Sequence, residues 1–325
     1  MKKSELEKVK GRFSIYCNGE YVVINTTRLF IFKTDGSPVA CRKDLLYAGR
    51  ITFLSGNRML LCSHKAVFHM IRLCDGSDIW TDPYAKNILN ASKLAVSQDE
   101  AFVYTYDEWK GTHFISRLDL QTHEVTLHDM YMDYGATRDI ICNEAGIPCL
   151  LKTVTETVGG KKFHQNGVRL HDFYDIAPGN TSTWETKWSF DGDRSPLGFF
   201  ESTDAIVTTD LQIYRPSTGA LVDLLENESS WHPPAHGPSK CWLDLSKRYL
   251  CVKYSTVHVI IDIHARKVVG QYAAHWTYGC LIGNEYWVCA EDRVIRKPFP
   301  AMEEAPPLKQ VGGWDTFYSK HPELW

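Results

Sequence analysis

A strand-turn-strand unit recurs along this chain, and the spacing of its turns restricts the possible folds more than any single motif does. The stretch "IRLCDGSDIW" (71–80) runs an apolar segment into a tight Asp75-Gly76 turn and out through a Trp-bearing segment. The same order returns in "LFIFKTDGSPVAC", "ISRLDLQTHEVTL", "RLHDFYDIAPGNTSTW", "LQIYRPSTGALVDLL" and "VIIDIHARKVVGQY". Measured at Gly36, Gly76, His123, Gly179, Gly219 and Arg266, the steps are 40, 47, 56, 40 and 47 residues. Upstream of each turn lies another hairpin signal, β-branched and aromatic runs around short Asn, Gly, Asp or Ser turns. There are seven: "GRFSIYCNGEYVVIN", "ITFLSGNRMLLCS", "KLAVSQDEAFVYTY", "IICNEAGIPCLLK", "GFFESTDAIVTTD", "CWLDLSKRYLCVK" and "GCLIGNEYWVCAE". The last is followed by "RVIRKPFP" and the Pro-rich "AMEEAPPLKQV", a degenerate final pair.

A period of roughly 40 to 50 residues is that of β-propeller blades. One twisted four-stranded blade cannot bury both faces alone, so blades stack around an axis until the ring closes. The expected fold is all-β: a seven-bladed propeller of four-stranded antiparallel blades. Residues 1–11 form a charged lead, 12–311 the single propeller domain and 312–325 an aromatic tail. That tail carries Trp314, Phe317, Tyr318 and Trp325 and is expected to dock. Since "GRFSIYC" reads as the innermost strand of the first blade, the ring closes without strand exchange, or residues 1–10 or the tail add an outer strand.

The blade ends "CDGSDIW" and "RPSTGALVDL" resemble the D-x-x-T-G-x-x-x-W and W-D-x-x-T-G ends of quinoprotein-like and WD40-like propellers. At the level of period the resemblance covers nearly the whole chain, and it implies the scaffold without a particular family. Gly-His and Trp-Asp in step are missing; the one Trp-Asp pair, Trp314-Asp315, lies in the tail.

Apolar residues make up 44% of the 325 and charged residues 23%, with a formal net charge of -3, which argues against a polyanion as obligatory partner. "MKKSELEKVK" has no apolar stretch behind its lysines, and no run approaches the ~18 apolar residues of a membrane helix. A cytoplasmic location with no membrane partner is expected. Cys17, Cys62, Cys149, Cys251 and Cys289 sit in apolar strand-like runs, and no CxxC occurs, so buried free thiols are the expectation.

In a four-strand blade order, the connections between strands two and three and between blades emerge on one face. That face receives the irregular segments "TDPYAKNILNA", "HDMYMDYGATR", "ENESSWHPPAHGPSK", "YAAHWTYG", "DEWKG" and "ETVGGKKFHQNG". They hold Tyr84, Trp109, Tyr131, Tyr134, Trp231, His232, His236, His275, Trp276 and Tyr278. Of these, all but His236 are the candidate partner-binding residues, because loops on a rigid scaffold carry recognition and Trp and Tyr dominate interface hot spots. The alternative is that several of them plug the central channel or pack over blade tops.

Local catalytic signatures are missing. "HEVTLH" has H-E-x-x-x-H spacing in a β-patterned segment, and the His232 and His236 pair lacks a nameable third ligand. "TVGGKKF" is a hairpin tip and not a phosphate loop, and no G-x-S-x-G elbow occurs. Asp139, Glu201 and Asp244 lie near inner strands, where they could meet a cation or act as bases. The reading is a non-catalytic protein-interaction module with neither cofactor nor metal. The alternative is a propeller enzyme or small-molecule binder, lactonase-, lyase- or dehydrogenase-like, working in the central channel.

Overall fold

The computed structural model describes residues 6, 9, 14–26, 28–45, 51–62, 67–82, 93–109, 112–130, 135–158, 161–172, 185–190, 196–228, 230–234, 237–274, 278–290 and 293–304. Their strands fall into seven sheets, each built from consecutive antiparallel strands. The first holds β1 (Ser14–Cys17), β2 (Tyr21–Asn25), β3 (Leu29–Lys33) and β4 (Pro38–Arg42). The second holds β5 (Ile51–Leu54), β6 (Arg58–Cys62), β7 (Phe68–Arg72) and β8 (Asp78–Thr81). The third has β9 (Lys93–Val96), β10 (Phe102–Trp109), β11 (Thr112–Asp119) and β12 (Val125–Met130). In the fourth are β13 (Gly135–Cys142), β14 (Pro148–Val158), β15 (Lys161–Asp172) and β16 (Glu185–Phe190). The fifth comprises β17 (Pro196–Phe200), β18 (Ser202–Thr208), β19 (Gln212–Arg215) and β20 (Ala220–Asp223). The sixth comprises β21 (Lys240–Leu243), β22 (Tyr249–Lys253), β23 (Val257–Asp262) and β24 (Lys267–Ala273), and the last β25 (Cys280–Ile282), β26 (Glu285–Ala290) and β27 (Arg293–Pro298).

Apolar clusters bridge these sheets pairwise in a cycle. Ile31 and Val23 meet Met59 and Leu61, Leu60 and Phe68 meet Val103 and Leu118, and Tyr104 and Tyr106 meet Ile140 and Leu150. Leu151 meets Ile206, Val207 and Ile213 meet Val252 and Val259, and Cys251 and Tyr272 meet Tyr286 and Val288. Trp287, Cys289 and Val294 of the last sheet then bury against Ile15, Val22 and Phe32 of the first, joined by Leu6 and Val9. This is a β-propeller. Middle strands are packed on both faces and read as continuous apolar runs, as Val22, Val23 and Ile24 show with no exposure. Outer strands β8 and β20 face solvent and are mostly exposed.

The repeat seen in the sequence is a repeat of backbone geometry. Every described turn from which the period was measured adopts a left-handed conformation: Gly36 (φ 90°), Gly76 (71°), His123 (63°), Gly219 (70°) and Arg266 (52°). Gly179 lies outside the described residues. The first hairpin of each sheet does the same at Gly19, Asn57, Glu100, Gly146, Glu201, Lys247 and Gly283. Where a side-chain-bearing residue occupies such a turn, it is strained by about 1 to 2 kcal/mol. Lys247 (φ 57°) is the simplest to relieve, since its side chain is 69% exposed and its one ion pair, with Glu201 at 3.3 Å, is on the surface. Lys247→Gly is expected to stabilise the ring by about 0.5 kcal/mol, after the entropy of glycine and the weak pair are subtracted. Urea unfolding would show it as a raised midpoint, and a lowered midpoint refutes the assignment.

Among the described residues, six sheets have the expected four strands and β25–β27 has three. After β27, the chain leaves its own sheet and lies along the outer edge of the neighbouring one. Gln271 of β24 donates its backbone N–H to the Ala301 carbonyl (2.9 Å) and accepts from the Glu303 N–H (2.9 Å), with a parallel bridge to Met302. The Gln271 amide donates to the Glu303 carbonyl (2.8 Å), and the Glu303 carboxylate accepts from Ala273 N–H (2.9 Å) and Lys297 (2.6 Å). Residues 299–304 therefore cover an open sheet edge, which would otherwise be available for unwanted pairing.

Candidate interaction face

Alternating strands put the first-to-second and third-to-fourth turns at one end of the ring and all other connections at the opposite end. At the short-turn end, neighbouring hairpins clasp one another. Asn57 donates to Glu20 (2.6 Å), Ser55 donates through both N–H and hydroxyl to the Glu100 carboxylate (2.7 Å each), and Arg58 joins the same carboxylate at 3.1 Å. These groups tie the first three blades to one another.

The other end has a different character. Tyr278, just before β25, stands beside Trp242 of β21 (4.9 Å between ring centroids, edge-on) and Tyr16 of β1 (5.9 Å), so it spans the inner strands on both sides of its own sheet. Its backbone carbonyl accepts from Ile15 N–H (3.1 Å), and the Trp242 indole donates to the Gly279 carbonyl (3.1 Å). Gly279 has no room for a side chain, since a Cβ there would fall 2.4 Å from the Tyr286 hydroxyl. The Lys240 ammonium lies over the Tyr278 ring at 5.3 Å, a cation–π contact. Directly opposite Lys240 in register is Lys253, and opposite Lys253 is His258. Burial and the neighbouring Lys240 charge hold the Lys253 ammonium down at about 8. Beneath them His258 is buried, its Nδ1 2.8 Å from the Tyr286 hydroxyl, whose pKa burial drives far upward.

Of the residues proposed for recognition, Tyr278 belongs to this cluster. His232 is exposed on the connection after β20. Trp231 is not a free contact: its indole donates to Gln271 (2.8 Å), its N–H to Glu228 (3.2 Å), and its ring packs edge-on against Tyr254. It braces the β24 edge together with residues 299–304. Trp109 ends β10, paired with Thr112, because the strands of that hairpin continue through the segment "DEWKG". The hairpin of β14 and β15 likewise extends through most of "ETVGGKKFHQNG". Tyr84, Tyr131, Tyr134, His236, His275 and Trp276 lie outside the described residues. Tyr16, Trp242, Lys240 and Lys253 were not singled out from sequence; the alternation Lys240, Trp242 at the start of an inner strand was the available signal.

The acids near the inner strands have structural tasks. Asp139 accepts from Phe199 N–H (3.0 Å) and its following Ile140 N–H (3.0 Å), tying β13 to β17. Asp244 staples its hairpin through Ser246 (2.6 Å to the hydroxyl) and Tyr249 N–H (2.8 Å), and Glu201 occupies a left-handed turn. His123 is also a turn residue, stacked on Trp80 at 4.7 Å, and Val125–Met130 is a strand, so no helical face unites His123 with His128. All ten cysteines are free thiols, Cys41 and Cys74 exposed and the others buried or half-buried. Burial raises the thiols of Cys241, Cys251 and Cys280 well above the ordinary value, and that of Cys142 to about 12, which keeps them protonated and poorly nucleophilic.

No protein-family model matches the sequence, and no curated protein matches it. Among solved structures, the chain is similar to one in the crystal structure of the mitotic checkpoint complex, at 10% identity and a TM-score of 0.57, covering 89% of this chain and 87% of that one. It is also similar to the dihydro-heme d1 dehydrogenase NirN in complex with DHE, at 14% identity and a TM-score of 0.50, covering 86% of this chain and 60% of that one. At these identities the likeness is one of fold, and the fold is an all-β propeller of antiparallel blades, six of the seven described sheets having four strands. Among the described residues no helix is long and apolar enough to cross a membrane.

Proposed function

We propose that the chain is a non-catalytic interaction module: a seven-bladed ring over residues 12–311, with β25–β27 as the seventh blade, that holds a protein partner on its loop-bearing face. The observation that carries this reading is the contrast between the two ends. Hairpins of the first three blades bond to one another at the short-turn end, whereas the loop end presents a half-buried Tyr278 and Trp242 with an exposed Lys240 beside them. Aromatic anchors with a cation at the rim are the composition of interface hot spots. The neighbour found in a protein complex is in keeping with such a role. A formal net charge of -3 favours protein over nucleic acid as partner, and the proposed location is cytoplasmic. The competing reading, chemistry in the central channel, is weakened by the engagement of Asp139, Glu201 and Asp244 in backbone bonds and turns.

Tyr278→Ala and Trp276→Ala test the proposal better than a change at Trp231, which would disturb the bracing of β24. Each is expected to weaken capture of the cognate protein about tenfold while the ring stays folded by circular dichroism. Unchanged capture by both folded variants would overturn it.

A further inference from the structure

We infer that Cys17 and Cys280 are an oxidisable pair at the seam between the first and last sheets, which hydrogen peroxide converts to a disulfide that staples the ring shut. The innermost strands β1 and β25 both run from the loop-bearing end toward the short-turn end, with Cα atoms within 8 Å of each other. Ile15 N–H donates to the Tyr278 carbonyl (3.1 Å), and the Cys280 thiol, two residues on, donates to the Ile15 carbonyl (3.0 Å). The Cys280 sulfur is thus held against β1. Cys17, two residues beyond Ile15, lies on the same face of that strand. Both thiols pack into the cluster that joins the two sheets, beside Ile15 and Trp287. Strands joined by a backbone hydrogen bond lie about 5 Å apart, inside the span of about 4.4 to 6.8 Å that a disulfide requires between Cα atoms.

The surroundings of the two sulfurs set the order of events. Burial raises the Cys17 thiol, and the Gly19 N–H, which donates to its sulfur at 3.3 Å, opposes that rise. Burial first, and then the nearby Cys17 and Cys251 sulfurs, hold the Cys280 thiol well above its ordinary value. Cys17 is therefore the thiol that peroxide oxidises first. Its thiolate attacks one peroxide oxygen, the O–O bond breaks, and the departing hydroxide takes up the thiol proton as water. Sulfur is oxidised to sulfenic acid while peroxide is reduced. Cys280 then attacks the Cys17 sulfur, the S–O bond breaks, and the Cys280 proton leaves with that hydroxide as a second water. A poorly nucleophilic thiol suffices for the second step because it already stands beside its target. Cys251, the other sulfur near Cys280, packs with Tyr272 and Tyr286 on the opposite face of the last sheet. A Cys17–Cys280 bond joins the first sheet to the last, so its loop contains nearly the whole ring, and long loops gain most from closure.

The full chain, carrying Cys41→Ser and Cys74→Ser to silence its two exposed thiols, is treated with hydrogen peroxide. Remaining thiols are then alkylated, and the protein is digested without reductant for mass mapping. A cross-linked peptide pair containing Cys17 and Cys280 is expected, and the urea midpoint of the oxidised chain is expected to rise by about 1 M. Dithiothreitol should reverse both changes. Adding Cys280→Ser should leave sulfenic acid on Cys17, trapped by dimedone, with no gain in midpoint. Conversion of the exposed Met302 to its sulfoxide reports that the peroxide dose was sufficient. Recovery of Cys17 and Cys280 as alkylated thiols at that dose overturns the proposal, as does a cross-link from Cys280 to Cys251. A Cys17–Cys280 bond that leaves the midpoint unchanged refutes the stapling of the ring. Because the mapping is done on a chain that keeps both seam cysteines, the result does not depend on whether the Cys280→Ser chain folds.

Discussion

Gly76→Ala is expected to destabilise the ring by about 3 kcal/mol, combining the strain of a left-handed residue with overpacking. Gly76 has φ 71°, and a Cβ built there lies 2.4 Å from the Ala40 Cβ and 3.6 Å from Ile31 Cδ1, both in the neighbouring sheet. Its carbonyl accepts from Arg42 (2.9 Å), which also holds Asp78 (2.8 Å) and Asp44 (2.7 Å), so the turn cannot retreat without disturbing that cluster. Gly219 supplies the control: its φ is 70°, yet nothing lies within 4 Å of a built Cβ. Gly219→Ala should therefore show only the conformational part, about 1 kcal/mol. Equal losses for the two variants in urea unfolding would contradict the packing argument.

Asp139→Ala is expected to lower stability by about 2 kcal/mol, because it leaves the inter-sheet Phe199 N–H without its charged acceptor. The aspartate fits closely: a Cβ on Gly198 would stand 3.0 Å from its Oδ2. Asp139→Asn keeps an acceptor oxygen and should lose less than half as much. A catalytic base would behave in the opposite way, with the Asn variant stable and inactive. Thermal unfolding of the two variants distinguishes these outcomes, and an unperturbed Asp139→Ala would remove the structural assignment.

The blade architecture was legible because it is written locally. Turns such as Asp75-Gly76 and Thr218-Gly219 need left-handed backbone, and the runs between them need burial on two faces. Even the turns without glycine, His123 and Arg266, were found from their place in the period. Trp80, at the end of the Asp75-Gly76 unit, stacks on His123 of the next sheet. What could not be read was pairing between distant segments. Residues 299–304 look like a degenerate strand in their own sheet, and nothing nearby announces that Glu303 and Met302 will meet Gln271 instead.

The candidate face was legible as a location more than as residues. Counting aromatics in irregular segments found Tyr278 and also Trp231, whose indole is spent on Gln271. Trp109 ends a strand where an irregular segment was expected, because strand length in an extended hairpin depends on cross-strand pairing and not on its own polarity. Lys240 and Lys253 were overlooked since their meeting depends on where the intervening turn falls. A shift of one residue would have sent them to opposite faces.

Each sheet is made of consecutive strands, and the first and last meet through Ile15 and Tyr278 with the Trp287 cluster behind them. Among the described residues, no sheet takes a strand from the far end of the chain. During synthesis, every blade can thus be assembled from residues already made and stacked on the one before it. Only the seam between the last sheet and the first must wait for a late segment to emerge. Until that moment the apolar surfaces of Ile15, Val22 and Phe32 are uncovered, so the nascent chain is most prone to aggregate before the last sheet has emerged.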